Sequence, residues 1–185
     1  MGVRKMKKIY LAPILFIFLF SFVSAPVVAG PIIQDTESGS LSIYYYQPVG
    51  QSFLAEDAKI KWIGAYTDPN YWPEENDLSF SVELYEGDGI SGSSIFSYIF
   101  NLPSDYSGYA DFDVSSITFT VGQMYTFAFY NDTRQWGLKM QWYTNPYLQG
   151  RSYHAGGGAN DDLRFHVLPM QLQQSIYLPL ILKGP

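Results

Sequence analysis

Alternation of apolar and polar residues recurs along the chain after residue 40, and it constrains the fold more than any other feature of the sequence. In residues 78–84 the apolar side chains occupy every second position, and residues 117–121, 136–142 and 163–167 repeat the pattern. Because successive side chains of a strand point to opposite faces of a sheet, each run predicts a strand with one buried face. Residues 124–130 are apolar at most positions, which is typical of a central strand buried on both faces.

Weaker strand candidates fill most of the remaining chain, and turn sequences rich in Gly, Pro, Asn and Asp separate them. These candidates are residues 42–46, 51–55, 60–66, 94–100, 109–114 and 151–154. No stretch shows a sustained helical stripe, and the 16 Tyr and 13 Phe residues favour strands. About ten short strands in one domain, residues 41–168, predict an all-β fold, an antiparallel β-sandwich that is jelly-roll-like.

Residues 1–29 have the three parts of a secretory signal peptide, so a signal peptide helix is expected to precede the sandwich. Four basic residues come first, residues 9–23 are almost entirely apolar, and small residues lead to Ala29. Cleavage is expected after Ala29. A retained membrane anchor is the alternative, but the apolar run is short for a spanning helix. The sequence therefore predicts a secreted protein, extracellular or at the cell surface, with no stable membrane span after cleavage.

Charge and cysteine content narrow the partners and the chemistry. Removal of the leader, with its four basic and no acidic residues, takes the formal charge from −6 to about −10. An acidic surface repels phosphate backbones and anionic lipids, which disfavours nucleic acid and membrane surfaces as partners. The chain has no cysteine, which excludes thiol catalysis and cysteine-bound metals. A disulfide-free exported domain must be held by its own core, and this favours a bacterial source.

The two ends of the predicted mature chain differ from its middle. Residues 30–40 are mostly polar and are expected to form a flexible N-terminal segment. Residues 169–185 form a C-terminal tail whose apolar stretch, 176–182, is too short to span a bilayer. Pro179 restricts this stretch to an edge strand or an extended segment. The tail is therefore either a structural edge strand of the sandwich or a segment that docks on a neighbouring chain or a sorting receptor.

Five short motifs resemble a recurring module of secreted bacterial proteins. They are GQSF at residues 50–53, VELYEG at 82–87, GQMYTF at 122–127, YHAGG at 153–157 and DLRF at 162–165. The resemblance covers roughly residues 48–168 and implies a jelly-roll, carbohydrate-binding-like β-sandwich of the kind appended to extracellular enzymes and surface proteins. The IYLPL sequence at residues 176–180 is similar to the tails of many exported proteins of filamentous green bacteria. Here the module makes up the whole predicted mature chain, so targeting an enzyme requires a separate catalytic partner.

Aromatic residues in predicted loops are the strongest candidates for ligand binding. A flat ring suits the apolar C–H face of a sugar, and neighbouring polar groups orient the sugar hydroxyls. The candidate platform consists of Tyr71, Trp72, Tyr147 and Tyr153, with Asp68, Asn70 and Arg151 as polar neighbours. The alternative is that these rings cover the ends of the sheets as part of the core. Trp62, Trp136 and Trp142 follow the strand alternation and are expected in the core.

Acidic turns are the candidates for a metal site. Asp88 lies in an EGDG turn, and Asp161 and Asp162 follow Asn160. Calcium takes several oxygen ligands from carboxylates and carbonyls, so a structural Ca²⁺ ion is one interpretation of these turns. Neither turn matches the EF-hand pattern, and acidic residues are also ordinary turn residues. No other cofactor is predicted.

No catalytic residue is identified by the sequence. Residues 154–158, HAGGG, are similar to the oxyanion loop of esterases, but the chain lacks the GxSxG nucleophile motif. Only separation in space identifies a carboxylate pair for glycoside hydrolysis, so a hydrolase is the third choice. The preferred hypothesis is a secreted, non-catalytic module that binds a polysaccharide, a glycan or another extracellular polymer. The alternative is a structural or adhesive cell-surface subunit that assembles with a cell-surface protein through its C-terminal segment.

Overall fold

The computed structural model describes residues 29–68, 79–103, 105–130 and 136–170. The expected signal peptide helix and most of the expected C-terminal tail lie outside these residues. The described chain forms thirteen β-strands and one helix of four residues. The strands are β1 (Ile32–Gln34), β2 (Gly39–Ser42), β3 (Val49–Leu54), β4 (Ile60–Asp68), β5 (Ser79–Glu86), β6 (Phe96–Asn101), β7 (Tyr109–Asp113), β8 (Met124–Tyr130), β9 (Gly137–Gln141), β10 (Ser152–His154), β11 (Gly157–Gly158), β12 (Asp162–Leu163) and β13 (Phe165–Pro169), and the helix is α1 (Ile43–Tyr46).

The strands form two antiparallel sheets, which confirms the expected all-β sandwich. The first sheet has the order β1-β13-β4-β9-β12, with β2 paired to β9 and β7 paired to β4. The second sheet has the order β11-β10-β3-β8-β5-β6. From β3 to β10 the chain passes from one sheet to the other at every connection except that between β5 and β6, in the manner of jelly-roll-like sandwiches.

The aromatic core lies between the two sheets and is centred on β8. Residues 125–129 are all buried, which confirms the prediction of a central strand over residues 124–130. The Phe127 ring lies 6.4 Å from that of Phe53 in the same sheet, and 6.1 and 5.9 Å from those of Phe112 and Phe165 in the first sheet. Contacts among these rings stabilise the packing of one sheet on the other, because apolar burial is the main favourable contribution to folding.

The segment 30–40 is not the loose N-terminal segment expected from its composition. Its residues Ile32–Gln34 pair with β13, and β2 begins at Gly39 and pairs with β9. Ile32 and Gln34 both point inward and are buried. The Gln34 amide donates to the carbonyl oxygen of Leu163 at 3.0 Å, so this polar side chain is buried without losing its hydrogen bonds. Composition was misleading because polar residues here serve as strand residues.

Two predicted strands are absent from the described structure. Residues 43–46 form α1 after β2 ends at Ser42, whose hydroxyl accepts a hydrogen bond from the Tyr45 amide at 3.4 Å. Residues 117–121 form a loop in which Phe119 is buried against Tyr125, with the ring centroids 4.9 Å apart. In residues 117–121, the apolar alternation therefore corresponds to one buried ring, that of Phe119, and not to a strand.

Helices contribute little to the described part of the chain. Among the described residues, no helix has the length and apolarity needed to cross a membrane. The single helix, α1, is one turn that leads from the first sheet to the second. The two sheets therefore position every loop considered below.

Candidate functional site

A cleft of about 600 Å³ lies at one corner of the second sheet, where β10 and β11 form its edge. Four parts of the chain line it: the loop after β5, the first residue of β8, the loop 142–151 between β9 and β10, and residues 158–160. Its polar lining includes Asp88, Asn145, Gln149, Arg151 and Asn160, and Leu148 and Met124 add apolar surface. Pockets of roughly 300–1,000 Å³ accommodate small ligands, so this cleft has a suitable size.

The loop after β5 folds across the outer face of the second sheet and places Asp88 at the cleft. The Gly87 amide donates to the carbonyl oxygen of Met124, and the Gly89 amide donates to the Thr126 hydroxyl, each at 2.8 Å. The same hydroxyl donates to the carbonyl oxygen of Gly87 at 2.8 Å. Gly87 and Gly89 have φ angles of 96° and 138°, a region that glycine enters without a steric penalty. Asp88 is thus held between two glycines.

The Asp88 carboxylate is oriented by two residues at the start of β10. The Tyr153 hydroxyl donates to Oδ1 at 2.8 Å, and the Arg151 guanidinium lies 2.9 Å from Oδ2. Partial burial acts to raise the pKa of Asp88, but hydrogen bonds from Ser52 and Tyr153 and the charge of Arg151 outweigh it and lower this pKa. Burial, together with the bond to Asp88, raises the pKa of Tyr153 to about 12. The pair therefore consists of an ionised acceptor and a protonated donor at neutral pH.

The loop 142–151 forms the opposite wall, and the buried Asp162 fixes its middle. Asp162 Oδ2 accepts from the Tyr147 amide at 2.7 Å, and Oδ1 accepts from Gln51 Nε2 at 2.8 Å. The side-chain oxygen Oε1 of Gln51 in turn accepts from the Leu163 amide at 2.9 Å. The GQSF and DLRF motifs therefore meet in one buried network that attaches this loop to β3.

Gly150 brings the end of the same loop against β3. A Cβ atom at this position would overlap the carbonyl oxygen of Ser52. The Asn145 side chain donates to the carbonyl oxygen of Gly150 at 3.1 Å and closes the loop on itself. Only glycine allows this close approach, which aligns Arg151 with Asp88.

The cleft brings together only part of the predicted binding site. Arg151 and Tyr153 meet at Asp88, which the sequence suggested for calcium. The prediction that the rings of Tyr147 and Tyr153 form an exposed stacking platform is wrong. The Tyr147 ring packs on Phe165 with centroids 5.3 Å apart, and Tyr153 is 8% exposed. Both rings are close to the core. The Tyr147 hydroxyl accepts from the Leu54 amide at 3.1 Å, and of the two hydroxyls only that of Tyr153 reaches a residue of the cleft.

Of the remaining predicted binding residues, the structure describes only Asp68, which lies away from the cleft. Asp68 ends β4 in the first sheet, where Lys139 Nζ lies 3.0 Å from its carboxylate and the Ser40 hydroxyl donates to it at 2.5 Å. It does not line the cleft. Asn70, Tyr71 and Trp72 lie outside the described residues.

The carboxylates of the acidic turns accept hydrogen bonds from other groups of the protein. Asp161 Oδ1 accepts from the Tyr143 amide at 2.6 Å, and both oxygens of Asp162 accept from N–H groups. Asp88 is paired with Arg151. Within the described ranges, no three His, Asp or Glu side chains are grouped closely enough to hold a metal ion. Structural calcium stays a prediction.

Several residues of the cleft were missed by sequence reasoning. Asn145, Leu148, Gln149 and Asn160 lie in loops. The sequence indicates only turns at Asn145 and Asn160, and Leu148 and Gln149 carry no signal. Asp88 reaches Tyr153, which is 65 residues further along the sequence, and no local pattern indicates this contact.

Fold and cleft together define a class of protein: a β-sandwich with a polar, ligand-sized cleft at the edge of one sheet. No family model matches the chain, and no curated protein matches it significantly. The chemistry of the cleft residues is therefore the basis of the functional proposal.

Asp162 predicts a measurable pH dependence of stability. Burial raises the pKa of Asp162 to about 6, although hydrogen bonds from Tyr147 and Gln51 oppose this. The folded state then binds this proton more tightly than the unfolded state, so the stability that Asp162 contributes is complete below pH 4 and lost as the pH rises through 6. The difference in unfolding free energy between wild type and Asp162→Asn should fall by about 2 kcal/mol from pH 4 to pH 7.

Urea unfolding of both proteins at several pH values checks this, because all other groups titrate in both. Asp113→Asn is the control. Hydrogen bonds from Lys61 and Ser115 lower the pKa of Asp113 to about 2, so its stabilisation is lost only as the pH falls below about 4. Its difference from wild type should be constant between pH 5 and 7. If the unfolding free energies of wild type and Asp162→Asn follow parallel curves against pH over the whole range, the raised pKa of Asp162 is contradicted.

Proposed function

We propose that the protein is an exported, non-catalytic module that binds carbohydrate, with the cleft beside Asp88 and Arg151 as its sugar-binding site. The observation that carries the proposal is this oriented pair, in which the carboxylate and the guanidinium lie 2.9 Å apart at the wall of a cleft of about 600 Å³. Neighbouring sugar hydroxyls are both donors and acceptors. A carboxylate accepts from one of them while the remaining N–H groups of the guanidinium donate to the next.

The other cleft residues support the same ligand. Asn145, Gln149 and Asn160 add amide groups that can donate and accept, and Leu148 and Met124 add surface for sugar C–H groups. Asp88 compensates the charge of Arg151, and the whole chain carries a formal charge of −6. An anionic sugar would therefore gain little attraction and meet general repulsion, so we propose neutral polysaccharides as the ligand class.

Removing the charge of Asp88 tests the proposal. Asp88→Asn should weaken binding of a neutral polysaccharide by about tenfold, because a charge-assisted hydrogen bond is replaced by a neutral one. Affinity electrophoresis and isothermal titration calorimetry with xylan, mixed-linkage β-glucan and galactomannan measure the effect on the purified protein. Lys61→Gln is the matched control, since it breaks an ion pair with Asp113 in the first sheet. Absence of binding to all three polymers, or equal losses in both variants, would overturn the proposal.

A structural or adhesive cell-surface subunit is the second candidate function, and the edge strand β6 favours it. Residues 95–101 contain no charged residue, and Ile99 is 66% exposed. Such an edge is a template for strand pairing with another chain. Size-exclusion chromatography with light scattering separates the two candidates, because a strict monomer at high concentration argues against assembly.

A further inference from the structure

Four aromatic side chains form a continuous row at the end of β10 that lies outside the cleft. The ring of Tyr46 lies 6.3 Å from that of His154, His154 lies 6.5 Å from Trp142, and Trp142 lies 6.2 Å from Tyr143, measured between centroids. We call Tyr46, His154, Trp142 and Tyr143 the aromatic ridge. It joins α1, the last residue of β10 and the beginning of the loop 142–151.

Both ends of the aromatic ridge are open to solvent. Tyr143 is 88% exposed and Tyr46 is 42% exposed. The middle of the aromatic ridge packs against the start of β2. Trp142 lies directly against Gly39, where a Cβ atom would overlap its indole ring, and its amide donates to the Ser38 hydroxyl at 3.0 Å. The result is a fixed row of rings whose outer members contact little of the protein.

Unfavourable backbone geometry is concentrated at the same place. In the described part of the chain, the non-glycine residues with positive φ are Tyr143, at 62°, and Ala155, at 52°. The Tyr143 amide donates to Asp161 at 2.6 Å, and the Ala155 amide donates to the carbonyl oxygen of Tyr46 at 2.7 Å. These bonds hold both residues in a disfavoured conformation. Maintained strain beside exposed aromatic rings points to a binding role, because neither feature helps the fold.

The aromatic ridge and the cleft share one loop. Tyr143 begins the loop 142–151, and Asn145 and Arg151 of the same loop line the cleft. The carboxylate that holds the Tyr143 amide belongs to Asp161, the neighbour of the cleft residue Asn160. The loop 142–151 therefore contributes residues to both features.

We propose that the aromatic ridge is a second subsite, which stacks on further sugar rings of the same polysaccharide chain that the cleft binds. The proposal rests on the proposed function and specifies its ligand as an extended chain. Adjacent rings of the ridge are inclined by 87°, 63° and 39°, so their faces do not lie in one plane. Such a row can contact a single twisting chain in solution, but it cannot contact the flat face of a crystalline polymer with all its members.

Tyr143→Asn tests this subsite. Asparagine tolerates positive φ better than tyrosine, so the variant should be at least as stable as wild type to heat. Its affinity for six-residue oligosaccharides should fall by about tenfold, since stacking on the exposed ring is lost. Its affinity for the corresponding disaccharides, which fill only the cleft, should stay within about twofold. Tyr98→Asn is the control, because Tyr98 is another exposed tyrosine, on β6 at the far edge of the second sheet.

The probes are cello-, xylo- and manno-oligosaccharides of two and six residues, titrated by calorimetry into the full chain. A loss for the six-residue ligand in Tyr143→Asn alone supports the ridge. If Asp88→Asn loses affinity while Tyr143→Asn binds six-residue ligands like wild type, the ridge is overturned and the proposed function stands. If wild type binds none of the probes, both are overturned. Retention on microcrystalline cellulose with no binding to the soluble probes would overturn the single-chain ligand.

Discussion

Phe127→Ala should lower the free energy of unfolding by about 3 to 5 kcal/mol, the largest effect expected from any single core substitution of those considered. Phe127 is fully buried in the middle of β8, and its ring faces Phe112 and Phe165 of the opposite sheet. Alanine would remove apolar contacts on both sides and leave a cavity that neighbouring rings cannot fill. Much of the contact between the two sheets would be lost at this point.

Urea unfolding monitored by tyrosine and tryptophan fluorescence measures this effect. Two variants show whether the loss comes from the core. Phe127→Leu should lose only about 1 kcal/mol because it keeps most of the apolar volume. Ile99→Ala should stay within about 0.5 kcal/mol of wild type because Ile99 is mostly exposed. Similar losses for Phe127→Ala and Ile99→Ala would contradict the described core.

Gly150→Ala should abolish the proposed carbohydrate binding and destabilise the protein by about 1 to 3 kcal/mol. The new Cβ atom would overlap the carbonyl oxygen of Ser52, so the loop 142–151 must move away from β3. Arg151 follows directly in the chain, and its amide donates to the Ser52 hydroxyl at 3.1 Å. Displacement of this segment therefore separates Arg151 from Asp88, and the binding pair is lost together with the shape of the cleft.

Gly30→Ala is the matched control for Gly150→Ala. Nothing lies within 4 Å of a Cβ atom at residue 30, so stability and binding should both equal those of wild type. Calorimetric titration with the polysaccharides named above measures binding, and urea unfolding measures stability. Wild-type affinity in Gly150→Ala would show that the close approach to Ser52 does not position the cleft.

The strands of the core could be predicted because the apolar positions in their sequence are the positions that the fold buries. Phe80, Val82 and Leu84 alternate with half-buried residues in β5, as the sequence indicates, and the apolar residues 125–129 are buried in β8. The prediction was wrong for residues 117–121, where a single buried ring, Phe119, produces the same alternation without any ladder. A period of two over five residues does not distinguish a strand from a loop that is anchored at its centre.

The candidate site was less predictable because it is assembled from distant segments. Arg151 and Tyr153 were chosen for a stacking platform, but Tyr153 contributes through its hydroxyl and its ring is buried. Gln51 and Asp162, which attach the loop of the cleft, are 111 residues apart in the sequence. Such contacts depend on which strands become neighbours, and strand order is not encoded in the local pattern.

The pairing of β1 with β13 has a consequence for biosynthesis. The earliest strand of the described chain finds its neighbour only when the last one has been made, with Ile32 opposite Val167. A ribosome releases the polypeptide from its amino end, so this sheet stays open at one side until residue 169 has emerged. Completion of this sheet therefore waits for β13, and β1 cannot form its ladder at any earlier stage of synthesis.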